Sequence, residues 1–218
     1  MKKIHLFGLW LLSFWLCCSS VLAQTGVDIG ASKIDLAHHL WVLEDTTQQL
    51  SVQQTLAITQ GWQAQPNEKP YFGYSKSAFW LRADLAASSS NSVQSLHKLL
   101  EITYPLLDDI QVYVVNNKKV IQHVQLGDNF EFGQRILPHR LFVVPLSFES
   151  QQDYQLYIRV TSTSGLQVPV VLWSSLAFAE HDQNRQLLLG CFYGSLIIMI
   201  AYNFFIWLSV REKSYLLY

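Results

Sequence analysis

The sequence predicts an all-β sandwich of the jelly-roll kind, followed by a transmembrane α-helix. Three observations carry that expectation. Seven runs of six to eight residues, rich in Val, Ile, Tyr and Phe, follow one another over 79–172, separated by turn residues and by no long helix. Apolar residues recur at alternate positions within the runs, which gives each strand one face to bury. Beyond them, residues 187–210 contain no charged side chain. As a helix that stretch is roughly 36 Å long at about 1.5 Å per residue, enough to cross a hydrocarbon core of about 30 Å.

Residues 1–23 read as a signal peptide. Lys2 and Lys3 precede an apolar run over 4–18, and Val21-Leu22-Ala23 supplies the small residues at which a signal peptidase cuts before Gln24. An uncleaved N-terminal anchor is the alternative. A lipoprotein signal is disfavoured, because bulky Trp15 and Leu16 precede Cys17 and Cys18. The third cysteine, Cys191, lies in the membrane stretch, so the exported part folds without a disulfide or a cysteine metal site. Residues 24–185 carry 11 Lys and Arg against 15 Asp and Glu, a net charge of −4. A mildly acidic domain excludes nucleic acid and a polybasic hold on lipid.

Residues 24–175 are the expected sandwich. A short strand is expected at 40–43 and a turn at Asp45-Thr46-Thr47. Ser51 with Gln54 matches a capping box and starts a short helix that runs to Ile58. After a loop over 65–70, strands are expected at 79–85, 99–104, 110–115, 120–125, 140–146, 154–161 and 167–172. The run AASSSNSVQS over 86–95 reads as an exposed loop. Asn116-Asn117 suits a hairpin turn, since Asn tolerates positive φ. Phe79, Leu81, Ala83 and Leu85 should face the core with Tyr154, Leu156, Ile158 and Val160. Trp80, Arg82 and Asp84 point the other way, as do Tyr157 and Arg159.

Residues 176–186 read as a connecting helix capped by Ser174 or Ser175, 187–210 as the span, and 211–218 as the start of a cytoplasmic loop. Arg211 and Lys213 just past the span place the sandwich outside and the C-terminus in the cytoplasm. A buried core helix of a soluble protein is the alternative reading; such helices are usually shorter and carry some charge. The ending REKSYLLY leads toward another apolar segment, so the chain is expected to be the front of a longer protein.

Four groups of residues carry a family resemblance: 73–82 (GYSKSAFWLR); 100–105 (LEITYP) with 107–110 (LDDI); Gly127-Asp128 with Arg135 and Pro138-His139-Arg140; and 157–160 (YIRV) with 166–169 (LQVP) and Leu172-Trp173. In this order they resemble the periplasmic sensor domain, type 2, of bacterial seven-transmembrane receptors with diverse intracellular signalling modules. Tyr193-Gly194, Met199, Tyr202-Asn203 and Ser214-Tyr215-Leu216 are similar to the first helix and loop of that family's membrane unit. The resemblance implies a jelly roll like that of carbohydrate-binding modules, in the inner membrane with its N-terminal domain periplasmic. It also implies a cytoplasmic output such as a cyclase or kinase, which would lie downstream of this chain.

Candidate site residues follow from the strand faces. Trp80 with Arg82, Tyr157 with Arg159, and His139 with Arg140 pair rings with cations. A ring covers the C–H faces of a sugar, and a guanidinium grips a carboxylate in bidentate fashion. The structural alternative packs Trp80 under a loop and pairs Arg82 with Glu101 or Asp84. Asp108-Asp109 reads as a turn, because no spaced acidic loop surrounds it for calcium. No nucleophile elbow, phosphate loop or His-Glu-x-x-His motif is present, so binding is expected rather than catalysis, with no cofactor and no metal. Gly190 and Gly194 form a small-residue face for helix packing, against sibling helices or in a homodimer, and Asn203 offers a hydrogen bond across helices. Two functions are expected to compete. One is a receptor segment sensing a carbohydrate or carboxylated small molecule; the other is a membrane-anchored protein–protein interaction module without such a ligand.

Overall fold

The computed structural model describes residues 26–65, 69–86, 96–149 and 152–211 together with residue 214. The leader with Cys17 and Cys18, most of the polar run over 86–95, and Lys213 lie outside the described residues. Thirteen strands are described: β1 Val27–Asp28, β2 Lys33–Asp35, β3 Trp41–Asp45, β4 Gln63–Ala64, β5 Tyr71–Gly73, β6 Ala78–Ala86, β7 Leu96–Ile102, β8 Asp109–Asn116, β9 Lys119–Leu126, β10 Phe142–Phe148, β11 Tyr154–Thr161, β12 Leu166–Gln167 and β13 Val170–Ser174. The larger sheet has the order β4-β3-β6-β11-β8-β9, with β1 parallel to the end of β6. The smaller has the order β10-β7-β13-β2, and β5 with β12 forms a separate ribbon.

The two sheets form a β-sandwich. Phe79, Leu81, Ala83 and Leu85 of β6 and Tyr154, Leu156, Ile158 and Val160 of β11 enter one core with Leu100, Ile102, Phe142 and Val144 of the facing sheet. Period-two alternation dictates this, because every second side chain leaves a pleated strand on the same side. Ser51 and Gln54 form the expected reciprocal capping box, and the helix they start spans Val52–Ala57. The strand expected over 167–172 is instead two, β12 and β13. Pro169 lies between them and has no N–H for a ladder, while its carbonyl accepts from Thr103 N at 3.3 Å. The hairpin turn falls one residue later than expected. Asn117 and Lys118 both have positive φ, 47° and 63°, as a two-residue primed turn requires.

Connecting and spanning segments form one helix, Ser175–Val210, of 36 residues. Ser174 caps it, accepting from Ala177 N at 3.3 Å. Ser174 pairs with Lys98 near the start of β7, whereas Arg185 reaches Glu101 near its end. The helix therefore starts at one end of the sandwich and runs back across the outer face of the smaller sheet. The end toward which it runs, here the exit end, also gathers the loops 103–108, 127–141 and 162–169, since the ends of β7, β9 and β11 and the starts of β8, β10 and β13 meet there.

Candidate functional site

The outer face of the larger sheet holds four of the expected residues side by side. Register sets Arg82 opposite Tyr157 on one side and Trp41 on the other, and Trp80 opposite Arg159 and Leu43. The capped helix Val52–Ala57 folds over this face. Trp80 is 0% exposed in a second cluster with Val52, Tyr113, Val115 and Tyr157, packed under Leu50, Leu56 and Trp62. Rings stack outward from it, Trp80 on Tyr113 with centroids 5.9 Å apart and Tyr113 on His123 at 4.4 Å. Arg82 lies between the rings of Trp41 and Trp62, at 5.9 and 5.2 Å, and pairs with Asp84 at 3.5 Å. Its acidic partner is thus Asp84 and not Glu101, which belongs to the other sheet. Burial pushes the Tyr157 hydroxyl above its ordinary pKa, and the neighbouring Arg82 offsets part of that rise. Trp80 Nε1 and Arg82 Nε are buried and find no hydrogen-bond partner among the described residues, a state that costs about 1–3 kcal/mol per group.

Arg159 leads from this face to the exit end. It pairs with Asp109 at 3.5 Å and donates to the Gln48 carbonyl at 3.0 Å. Gln48 in turn donates to the Lys76 carbonyl. Both residues line a cavity of about 690 Å³ over the ends of β6, β8 and β11, together with Tyr74, Asp108, Asn129 and Thr163. Tyr74 is 83% exposed. Asp108 Oδ2 accepts from Thr163 N at 2.7 Å and from Thr163 Oγ1 at 2.8 Å, leaving one carboxylate oxygen toward Ser162 at 3.4 Å. The cavity is thus lined by one lysine, one aspartate, several hydroxyl-bearing residues and the exposed Tyr74. The sequence does not reveal it, because its lining comes from separate loops: residues 74–77 stand out there only within the resemblance, and Asp108-Asp109 only within it and as a turn. Among the described residues no three His, Cys, Asp or Glu side chains are grouped to hold a metal.

His139 and Arg140 lie elsewhere and do not join the other four. They grip the long helix. His139 Nε2 is 3.1 Å and Arg140 Nη2 2.6 Å from Asp182 Oδ1, while Gln186 donates to Asp182 Oδ2 at 2.6 Å. Burial alone would raise the Asp182 pKa, but hydrogen bonds from His139 and Gln186 and the charges of Arg140 and His139 hold it below the ordinary carboxylate value. A second clasp lies beside it. Glu101, 1% exposed, accepts from Trp173 Nε1 at 2.8 Å and pairs with Arg185 at 3.6 Å. His181 stacks on Trp173 at 4.7 Å, and Phe178 meets His139 edge-on at 5.4 Å. Farther along the helix, a Cβ added at Gly190 or Gly194 meets nothing within 4 Å. That face is open to a neighbouring helix.

A family model described as 7TMR-DISM extracellular 2 matches residues 37–174, and one described as 7TM diverse intracellular signalling matches residues 185–218. The first match ends with β13; the second begins at Arg185, inside the clasp. A search of the curated proteins finds no match. Among solved structures, a family 35 carbohydrate-binding module from Clostridium thermocellum is similar over 66% of this chain and 100% of its own, at 9% identity and a TM-score of 0.32.

Proposed function

We propose that this chain, which belongs to the 7TMR-DISM extracellular 2 family, is the sensing front of a transmembrane signalling receptor. The sandwich meets a small molecule in the periplasm, and the helix carries the result across the inner membrane toward an output beyond this chain. One observation carries this reading: a single helix, Ser175–Val210, is clasped to the sandwich in its first turns and uncharged over 187–210. The clasp thereby ties the start of the span to the sandwich.

The ligand class is a carbohydrate or a carboxylated small molecule, bound in the exit-end cavity. Lys76 supplies a cation for a carboxylate, Asp108 and Thr163 supply partners for hydroxyls, and the open ring of Tyr74 suits the C–H face of a sugar. Arg159 buttresses the wall through the Gln48 carbonyl, with Trp80, Arg82 and Tyr157 as the packed layer behind it. The test is thermal unfolding of the full chain in detergent with neutral sugars, sugar acids and small hydroxy acids at millimolar concentration. A true ligand adds about 2.7 kcal/mol at a hundredfold excess over Kd, and Tyr74→Ala and Lys76→Ala remove that gain. If none of these compounds stabilises the chain while a periplasmic protein does, the sandwich is an interaction module instead.

A further inference from the structure

Six large apolar or aromatic side chains in the described part of the sandwich are about half exposed or more: Tyr71, Tyr74, Leu106, Ile121, Phe132 and Ile136. All but Ile121 sit at the exit end, the end toward which the helix runs. Phe132 and Ile136, each 54% exposed, are closest in the chain to the helix clasp. Their loop, 127–141, is braced by Arg135, whose guanidinium lies over the Phe132 and Phe142 rings at 4.9 and 4.7 Å and donates to the His139 carbonyl at 2.8 Å. His139 and Arg140 of the same loop hold Asp182. From Asp182 to Leu187, where the uncharged stretch starts, the helix advances five residues, about 7.5 Å. The two exposed side chains are therefore tied to a point just short of where the helix enters hydrocarbon.

We infer that Phe132 and Ile136 are interfacial anchors that insert into the headgroup–acyl boundary of the bilayer the helix crosses. Aromatic and branched side chains backed by arginines suit that boundary, where apolar tips sink and guanidiniums remain at the phosphates. Asp128 and Glu131 on the same loop are exposed, so attachment rests on apolar burial rather than on net positive charge. Anchoring here fixes the tilt of the sandwich on the membrane and thus the angle at which the clasp presents the helix.

The inference rests on the helix being a membrane span, and one experiment separates the two. With Cys17 and Cys18 changed to Ser, a nitroxide is placed on native Cys191 of the full chain in phosphatidylethanolamine–phosphatidylglycerol vesicles. In a background also carrying Cys191→Ser, it is placed at Ile136→Cys or Ile121→Cys. Collision with oxygen is compared with collision with a water-soluble nickel chelate. Ile121 serves as control because it lies about 17 Å along β9 from the exit end, at roughly 3.4 Å per residue. Expected is a lipid signature at Cys191, a shallower lipid signature at Ile136→Cys, and an aqueous one at Ile121→Cys. If Cys191 reads lipid while position 136 reads as aqueous as 121, the anchor is refuted and the span stands. A label at 136 shielded from both reagents also refutes it, since protein then covers the loop. An aqueous Cys191 removes the span and the anchor together.

Discussion

Replacing Asp182 with Asn should release the helix from the sandwich without unfolding either. Asparagine keeps the size of the side chain but loses the charge that His139, Arg140 and Gln186 converge on. Hydrogen bonds to a charged group contribute about 1.5–3 kcal/mol each when taken singly. They are not additive here, and the Arg140 side chain is 36% exposed, so its share is nearer that of a surface pair, about 0–1 kcal/mol. The clasp as a whole should therefore weaken by about 2–3 kcal/mol. That corresponds to opening roughly 30- to 150-fold more often, at about 1.4 kcal/mol per tenfold. Hydrogen exchange of the full chain in nanodiscs reads this directly: amides over 176–186 should exchange faster by that factor while those of β6 and β11 stay protected. The pH dependence has a definite sign. The Asp182 pKa is depressed in the folded state, so its contribution is fully present above the ordinary carboxylate value of about 3.9. It is lost as pH falls through the lower folded value. Wild-type docking should weaken on that acid limb, and the Asn variant should lack the share of it that Asp182 contributes. Unchanged exchange over 176–186, or a loss spread evenly over the whole sandwich, would refute the reasoning.

Three further outcomes are expected. Gly127→Ala would place a Cβ 2.1 Å from the Asp108 carbonyl oxygen, a backbone atom that cannot swing aside, so stability in urea should fall by about 2 kcal/mol or more. Gly133→Ala, with nothing within 4 Å, is its control and should leave the midpoint in place. Trp173→Phe removes the indole donor to buried Glu101 and should cost about 1–3 kcal/mol; an unaltered denaturation midpoint would show that Arg185 alone satisfies the carboxylate. Lys118→Gly should stabilise the chain by about 0.5–1 kcal/mol, because it puts the favoured Asn-Gly pair at a turn where both residues have positive φ. A lower melting temperature would contradict that turn geometry.

The features legible in the sequence are those set by neighbours along the chain. The inward rows of β6 and β11 follow from alternation, and the Ser51–Gln54 box follows from a spacing of three. What alternation does not reveal is what later covers an outward row. Trp80 and Arg82 alternate onto the outer face, a row that by pattern alone reads either as open to ligand or as packed under a loop with Arg82 on an acidic neighbour. The structure lays the helix Val52–Ala57 and Trp62 over Trp80, so the ring is packed and Arg82 is left between two tryptophans. Glu101 likewise falls on the row opposite Leu100 and Ile102, and alternation alone does not say what covers it. It is buried because the helix returns along the smaller sheet and brings Arg185 to it. His139 and Arg140 are more than forty residues from Asp182, and no local pattern encodes that meeting. The cavity is invisible for the same reason: Tyr74, Lys76, Asp108 and Thr163 share no strand.

The cavity and the helix clasp share one loop. At its start, Asp128 N donates to the Leu107 carbonyl at 2.8 Å and Asn129 N to the Asp108 carbonyl at 3.2 Å, so the loop is stitched to the cavity wall. At its far end His139 and Arg140 hold Asp182, and Arg135 braces the middle. Proximity of this kind does not by itself establish signalling, because a ligand moves the helix only if it binds two arrangements of the loop with different affinity. Linkage makes the distinction measurable. If the two sites are coupled, undocking the helix must alter ligand affinity by the same factor by which ligand alters docking. The Asp182→Asn chain, with its cavity residues untouched, should therefore bind its ligand with a changed Kd. An unchanged Kd would mean that the cavity and the clasp are independent, and that any signal reaches the membrane by another path.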